Sequence, residues 1–184
     1  MNLTGKQLAL IMPRCPYPES YAAILTMESL TAGINTVTSA AALLATVAEE
    51  SDNMCILEER GDHSYLGADA KWYGRGWGQH TGEKQYRWLS GAIGMDLISK
   101  PELLLDPQVS GAALVAFWKA GAGLHLSPAA KAHGVPEGCD LSDIANRPDI
   151  TGVRLAWNGG LNGFDLVKAY YLVGLEVLGS AALL

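Results

Sequence analysis

Four glutamates cluster in the first third of the chain. Glu49 and Glu50 end a largely apolar run from Ala40 to Ala48, and Glu58 and Glu59 follow just before Arg60-Gly61. Glu50 and Glu59 are nine residues apart. At ~100° per residue a continuous helix would put them on opposite faces, so they converge only if the helix stops between them. Ser51, Asp52 and Asn53 are suited to stopping it, because short polar side chains compete for backbone hydrogen bonds. Glu50 then closes a helix, Glu59 comes from the turn that follows, and the two stand on opposite walls of a cleft. Glycoside hydrolysis uses such a pair, with one protonated acid for the leaving oxygen and one ionised carboxylate for the water or the sugar. An acid flanked by Leu44 and Val47 is partly desolvated, which raises its pKa and keeps its proton on. The competing reading of the same residues is a helix C-terminus followed by a solvated acidic turn.

The elements that must position these groups are mostly helical. Hydrophobic period and punctuation predict helices over Leu3 to Ile11, Glu19 to Ala32, Thr38 to Glu50, Glu83 to Ile93, Asp106-Pro107 to Lys119, Ile150 to Trp157 and Phe164 to Leu178. Shorter starts are expected at Ser127-Pro128 and at Asp140 to Ile144. Phe117, Trp118 and Trp157 sit at helical spacing among apolar residues and read as core. The stretch Gly61 to Gly82 differs. It interleaves glycines with Tyr65, Trp72, Tyr73 and Trp77, which predicts short strands and tight turns instead of helix. Aromatic rings beside close-packed backbone suit a wall on which pyranose faces stack. The plainer alternative is a satellite hydrophobic cluster under a long loop.

Composition removes other functions. The chain has 184 residues, 49% hydrophobic and 17% charged, enough for one domain or two small lobes around a shared cleft. Its net charge is −6 and no Lys/Arg cluster occurs, which argues against a nucleic-acid partner. The longest apolar stretch, Ala169 to Leu184, is short and carries Glu176, so no membrane insertion is expected. Five apolar residues from Leu8 to Met12 are too few for a signal peptide. The three cysteines, Cys15, Cys55 and Cys139, form no CxxC pair and read as free thiols. His63, His80, His125 and His133 show no HExxH or HxH spacing, so no metal is expected. His125 reads as packed or exposed, not as a ligand. Gly74-Arg75-Gly76-Trp77-Gly78 lacks the glycine spacing and preceding strand of a nucleotide site.

Taken together, several blocks resemble glycoside hydrolase family 19, the chitinase-like enzymes that include phage endolysins. Leu43 to Ser51 looks like that family's L-A-Q-x-A-H-E-S/T segment, and Ile56-Leu57-Glu58-Glu59 looks like the second acidic segment of its endolysins. Trp72-Tyr73-Gly74-Arg75-Gly76-Trp77-Gly78-Gln79-His80-Thr81-Gly82 resembles its most specific motif, Y-x-G-R-G-x-x-Q-x-T/S-G. Gly94-Met95-Asp96-Leu97 with Pro101-Glu102-Leu103, and Trp157 to Gly163, are similar to the later blocks G-x-D-L…P-x-L and I-N-G-G-x-N-G. The blocks keep the family's order over about residues 40 to 165.

The resemblance implies a mainly α, bilobal lysozyme-superfamily fold in a single domain over residues 1–184, with a small irregular β/loop region around residues 61–82. It implies hydrolysis of β-1,4 bonds between amino sugars by a monomer acting on peptidoglycan or a chitin-like glycan, without a cofactor. Carried over, Glu50 matches the general acid, Glu59 the general base, and Thr81 the hydroxyl that helps hold the attacking water. An inverting mechanism follows, with the carboxyls ~6.5–9.5 Å apart. Gln79 and Asn158 match residues lining the sugar cleft, and Tyr73, Arg75 and Trp77 are expected to line it with them. The size and missing signal suit an endolysin held in the host cytoplasm until a holin releases it to the wall. A chitinase, a lytic transglycosylase and a non-catalytic glycan-binding module are the alternatives. Three departures stand out. Glu49 replaces the usual histidine, Asp52-Asn53 replace a pair of glycines, and Asp165-Leu166 lacks the usual arginine.

Overall fold

A computed structural model describes residues 2–121 and 126–181 of the chain; His125 lies outside the described residues. The first elements are α1 (Gly5–Ile11), α2 (Pro18–Thr31) and α3 (Val37–Glu50). Local chemistry sets their starts. Thr4 accepts a hydrogen bond from the Gln7 N–H while the Gln7 side chain reaches back to the Thr4 N–H, a reciprocal capping box. Thr36 caps α3 by accepting from the Ser39 N–H. The remaining helices are α4 (Glu83–Ile93), α5 (Pro107–Ala116), α6 (Pro128–Ala132), α7 (Leu141–Ala145), α8 (Ile150–Asn158) and α9 (Phe164–Ala181). Asp106 caps α5 through the Gln108 and Val109 N–H groups, with Pro107 in the first turn. Asp149 does the same for α8 through the Gly152 N–H. No helix among the described residues is long and apolar enough to cross a membrane.

The centre of the molecule is α3. Ten successive residues, Ser39 to Ala48, are buried, so this helix is surrounded instead of half-exposed. Its small side chains let α9 lie against it along much of its length. The contact is tightest at Gly174, where an added Cβ would stand 3.0 Å from the Ala41 Cβ and 3.2 Å from its Cα. A buried, tightly gripped helix holds its C-terminal residue, Glu50, in one place.

Two hydrophobic cores make the two lobes. The larger gathers α1, α2, α3 and α7 to α9 around residues such as Leu25, Leu43, Leu44 and Trp118. The smaller contains Tyr86, Leu89, Leu97, Leu104, Val109, Ala113 and Phe117. Helix α5 is the wall between them. Val109 and Ala113, four residues apart, face the smaller core, and Leu114 and Val115 face the larger. After Ala116 the chain widens into a π turn, Phe117–Gly121, where α-helix was expected to continue to Lys119. Phe117 then joins the smaller core and Trp118 the larger. Trp157 packs against both. The mainly α, two-lobed architecture is the expected one.

The stretch Gly61 to Gly82 corrects the expectation of strands without helix. Ser64–Trp72 forms 3₁₀ turns, kinked at Gly67 where φ is 56°. Extended pairing is limited to single bridges, Glu58 with Arg75 and Arg75 with His80. None of residues 64–72 is buried, so no apolar alternation is available to anchor a sheet strand there. Short i→i+3 turns satisfy the backbone locally instead.

Candidate active site

Helix α3 ends at Glu50, and the breakers stop it as their chemistry requires. The Ser51 hydroxyl donates to the Val47 carbonyl at 2.7 Å and accepts from the Met54 N–H at 3.0 Å. Asp52, Asn53 and Met54 then take left-handed φ values of 49°, 62° and 64°. Asp and Asn tolerate that region better than most residues, so they can make the turn that the resemblance assigns to a pair of glycines. The turn is pinned by Asn53 N–H to Ala48 O at 2.9 Å, Ile56 N–H to Ser51 O at 2.9 Å, and the Asn53 amide donating to the Tyr170 hydroxyl at 2.8 Å.

Beyond the turn, residues 56–60 run beside the glycine-arginine-glycine block. The Glu59 N–H donates to Gly74 O and the Gly76 N–H to Leu57 O, each at 2.8 Å. The Glu59 carboxylate is fixed by the Gly74 N–H at 2.9 Å on one oxygen and the Tyr65 hydroxyl at 2.6 Å on the other. A Cβ at Gly74 would meet Gln79 Oε1 at 2.9 Å and Glu59 Oε2 at 3.2 Å; a side chain there would push the carboxylate away. A groove of about 430 Å³ runs along residues 55–60 and Leu105 and takes in Glu58 and Glu59. Glu50 is not part of its lining.

Glu50 has a different environment. Its carboxylate accepts from Arg154 Nη1 at 2.6 Å, and the same nitrogen lies 2.9 Å from Glu49 Oε2. The Arg154 side chain is 2% exposed, that of Glu50 14% and that of Glu49 19%. Nε of Arg154 donates to the Asn162 carbonyl at 3.0 Å, and Nη2 donates to the same oxygen. One guanidinium therefore faces two acids. Burial pushes the Glu50 pKa up, Arg154 pulls it down and Glu49 pushes it up again, for a value of about 7. A single buried cation cannot compensate two anions, so the proton stays on the more buried acid. Gly163 keeps this corner open: a Cβ there would fall 2.0 Å from Glu49 Oε1.

The other expected site residues separate into groups. Thr81 is half-buried, with its hydroxyl donating to the Gln79 carbonyl at 3.0 Å and its N–H donating to Gln85 Oε1 at 2.8 Å. Helix α4 begins at Glu83, and its N-cap is Gly82 with no side-chain cap bond, so Thr81 is not the helix cap. Gln79 spends its amide on the Ile56 and Gly76 carbonyls at 3.3 and 3.1 Å; it staples the Glu59 segment to the glycine-rich turn. Asn158 closes α8 and is exposed.

Three assignments to the sugar wall need correction. Trp77 is fully buried, its ring 4.9 Å from that of Tyr21, so it belongs to the larger core and presents no face to a ligand. Arg75 is 6% exposed and donates to the Lys71 carbonyl at 3.1 Å and the Tyr86 hydroxyl at 3.2 Å; it is a brace. Tyr73 has His63 stacked at 3.7 Å and the Arg75 guanidinium 3.5 Å from its ring centre. Two groups that close must occupy opposite faces, which leaves none for a pyranose. The Tyr73 hydroxyl also donates to Glu58. Trp72 packs against the smaller core. Of the four aromatics in this stretch, Tyr65 alone is strongly exposed, at 68%.

The sequence argument missed Arg154 and the second bond of Glu59 to Tyr65. Arg154 carried a signal: it is the one charge in Val153-Arg154-Leu155-Ala156, whose neighbours are all buried. A lone charge inside an apolar helical run asks for a buried partner. The guanidinium beside the acid comes from α8, while Leu166, at the position lacking the expected arginine, is exposed. The Gln85 amide, which links Thr81 to His80 Nδ1 at 3.1 Å, was also unforeseen. His80 is buried and stays neutral, its pKa lowered by burial to about 3.

The chain matches no known protein-family profile and no curated protein. Among solved structures it is similar to a bacterial family 19 chitinase, with 21% identity, 97% of this chain and 96% of that one covered, and a TM-score of 0.75. It is likewise similar to chitinase C from Streptomyces griseus HUT6037, with 18% identity, 96% and 92% coverage and a TM-score of 0.76. At these identities the likeness is one of fold: nearly the whole chain adopts the architecture of family 19 chitinases.

Proposed function

We propose that the protein is a glycoside hydrolase of endolysin type, cleaving β-1,4 bonds between the amino sugars of bacterial peptidoglycan. The observation that carries this reading is the contrast between its two acids. Glu50 is buried against a shared arginine and holds its proton up to about pH 7, and Glu59 lines an open groove on the segment just beyond the left-handed turn. Acids held in unlike environments are what an acid and a base require. The similarity of fold to family 19 chitinases supports the same reaction class.

In this mechanism Glu50 gives its proton to the glycosidic oxygen as the C–O bond breaks. Glu59 takes one proton from a water that attacks the anomeric carbon from the other side. The Thr81 hydroxyl already donates to Gln79 O, so it offers the water only lone pairs and accepts its second proton as a hydrogen bond. The attacking lone pair is thereby aimed at carbon, and the sugar inverts. The enzyme works as a monomer without a cofactor, and release from the host cytoplasm by a holin brings it to the wall.

The test is to digest purified peptidoglycan and chitin oligomers in parallel, with mass spectrometry and early proton NMR of the products. New reducing ends from peptidoglycan in the α configuration are expected. Preference for chitin oligomers would make it a chitinase, anhydro products a lytic transglycosylase, and binding without cleavage a glycan-binding module.

A further inference from the structure

Two of the three free cysteines meet at the back of the left-handed turn. Cys55 is exposed and lines the groove, and its thiol donates to the Arg14 carbonyl at 2.9 Å. That carbonyl is bonded to the nitrogen of Cys15, and a carbonyl oxygen lies about 2.8 Å from the next residue's Cα. The Cys55 sulfur is therefore no farther than about 6 Å from the Cys15 Cα. The Arg14 guanidinium also pairs with Asp52, so two separate contacts clamp residues 14–15 against residues 52–55. Cys15 is half-buried against the larger core, and its sulfur accepts from the Tyr17 N–H. Burial pushes the Cys15 thiol pKa up, and the neighbouring Cys55 pushes it up further. Cys139 stands apart, beside Asp140 and Asp143.

We infer that Cys15 and Cys55 are an oxidisable dithiol, closed to a disulfide by a low-molecular-weight disulfide such as oxidised glutathione. The exposed Cys55 attacks first, as its thiolate. It breaks the reagent's S–S bond, expels one small thiolate and becomes a mixed disulfide. The Cys15 thiolate then attacks the Cys55 sulfur and expels the second small thiolate. One S–S bond is broken in the reagent and one is made in the protein. Two electrons pass to the reagent, and the two thiol protons end on the two released small thiols. Closure requires a χ1 rotation at each cysteine, and the Cα spacing of about 4.4–6.8 Å that a disulfide needs lies within the upper bound the Arg14 contact sets. The bridge would tie the loop between α1 and α2 to the start of the segment that carries Glu59.

The test uses the full chain, reduced and then incubated with graded oxidised glutathione, with intact-mass and non-reducing peptide analysis. The wild type is expected to lose two hydrogens and yield one cross-linked peptide pair, Cys15 with Cys55, and its Tm is expected to rise by roughly 5–10 °C. Cys139→Ser should behave as the wild type. Cys15→Ser should instead stop at a stable glutathione adduct on Cys55. The inference is overturned if the wild type also stops at that adduct, leaves both thiols open to alkylation, or pairs either cysteine with Cys139.

Discussion

Glu50 holds its proton far above the ordinary carboxylate range because it is buried, with Glu49 beside it and a single guanidinium shared between the two. The folded protein holds this proton up to about 7 against an ordinary value of 4.5. Between those values the folded state binds more protons than the unfolded chain, so Glu50 lowers stability progressively as pH rises from about 4.5 to about 7, and not further above. Glu50→Gln is expected to cut hydrolysis roughly 10²–10⁴-fold while leaving the fold intact. Its stability relative to wild type should improve from pH 4 to pH 8, as read by urea unfolding at each pH. A variant whose relative stability is flat across that window would refute the assignment of the proton. Thr81 tests the other half of the site. Because the N-cap of α4 is Gly82 and no side chain caps the helix, replacing the hydroxyl should not unravel it. Thr81→Val is expected to lose activity per folded molecule while Thr81→Ser keeps most of it, since misaligned water rarely attacks. Equal turnover of the two variants would remove Thr81 from the mechanism.

Elements set these residues by being packed, and the packing is testable apart from chemistry. Arg154 on α8 joins α3 to the Asn162 carbonyl beyond its own helix end. Arg154→Met leaves two acids without their cation, and breaking a buried pair from one side costs about 3–5 kcal/mol. The loss should be greatest at pH 8, where Glu50 is charged, and smaller near pH 4, where the proton on Glu50 relieves the corner; thermal unfolding at the two pH values separates this from a packing defect, which would be equal at both. The seam between α3 and α9 is a matter of volume. At Gly174 a side chain meets the Ala41 backbone and Cβ, so Gly174→Val is expected to cost about 1–3 kcal/mol, visible as a lower urea midpoint. Activity should fall with it, because α3 carries Glu50.

At the scale of the whole molecule, a net charge of −6 would work against the anionic wall if peptidoglycan is the substrate, as proposed. Raising ionic strength from roughly 10 to 150 mM shortens the screening length from about 30 to about 8 Å. Digestion of peptidoglycan should therefore speed up with added salt over this range, while cleavage of neutral chitin oligomers should hardly change. A wall rate that falls with salt would mean that a local basic surface, not the cleft, recruits the substrate.

Much of this was legible in the chain. The helices could be read because their signals are local: Thr4 with Gln7, Asp106 with Pro107, and the breakers Ser51 to Asn53 act on backbone groups a few residues away. That Glu50 and Glu59 sit on different elements could be read because Ser51 to Asn53 stop the helix between them. The roles of the aromatics could not. Trp77 and Tyr73 are adjacent to the same glycines, yet one fills the larger core and the other is held between His63 and Arg75. Side-chain type tells a residue's preference, but which face is covered depends on segments that are distant in sequence. Arg154 shows the same limit: Glu50 lies 104 residues away from it. Only the tertiary fold decided that one guanidinium would serve two acids, and so which acid keeps its proton.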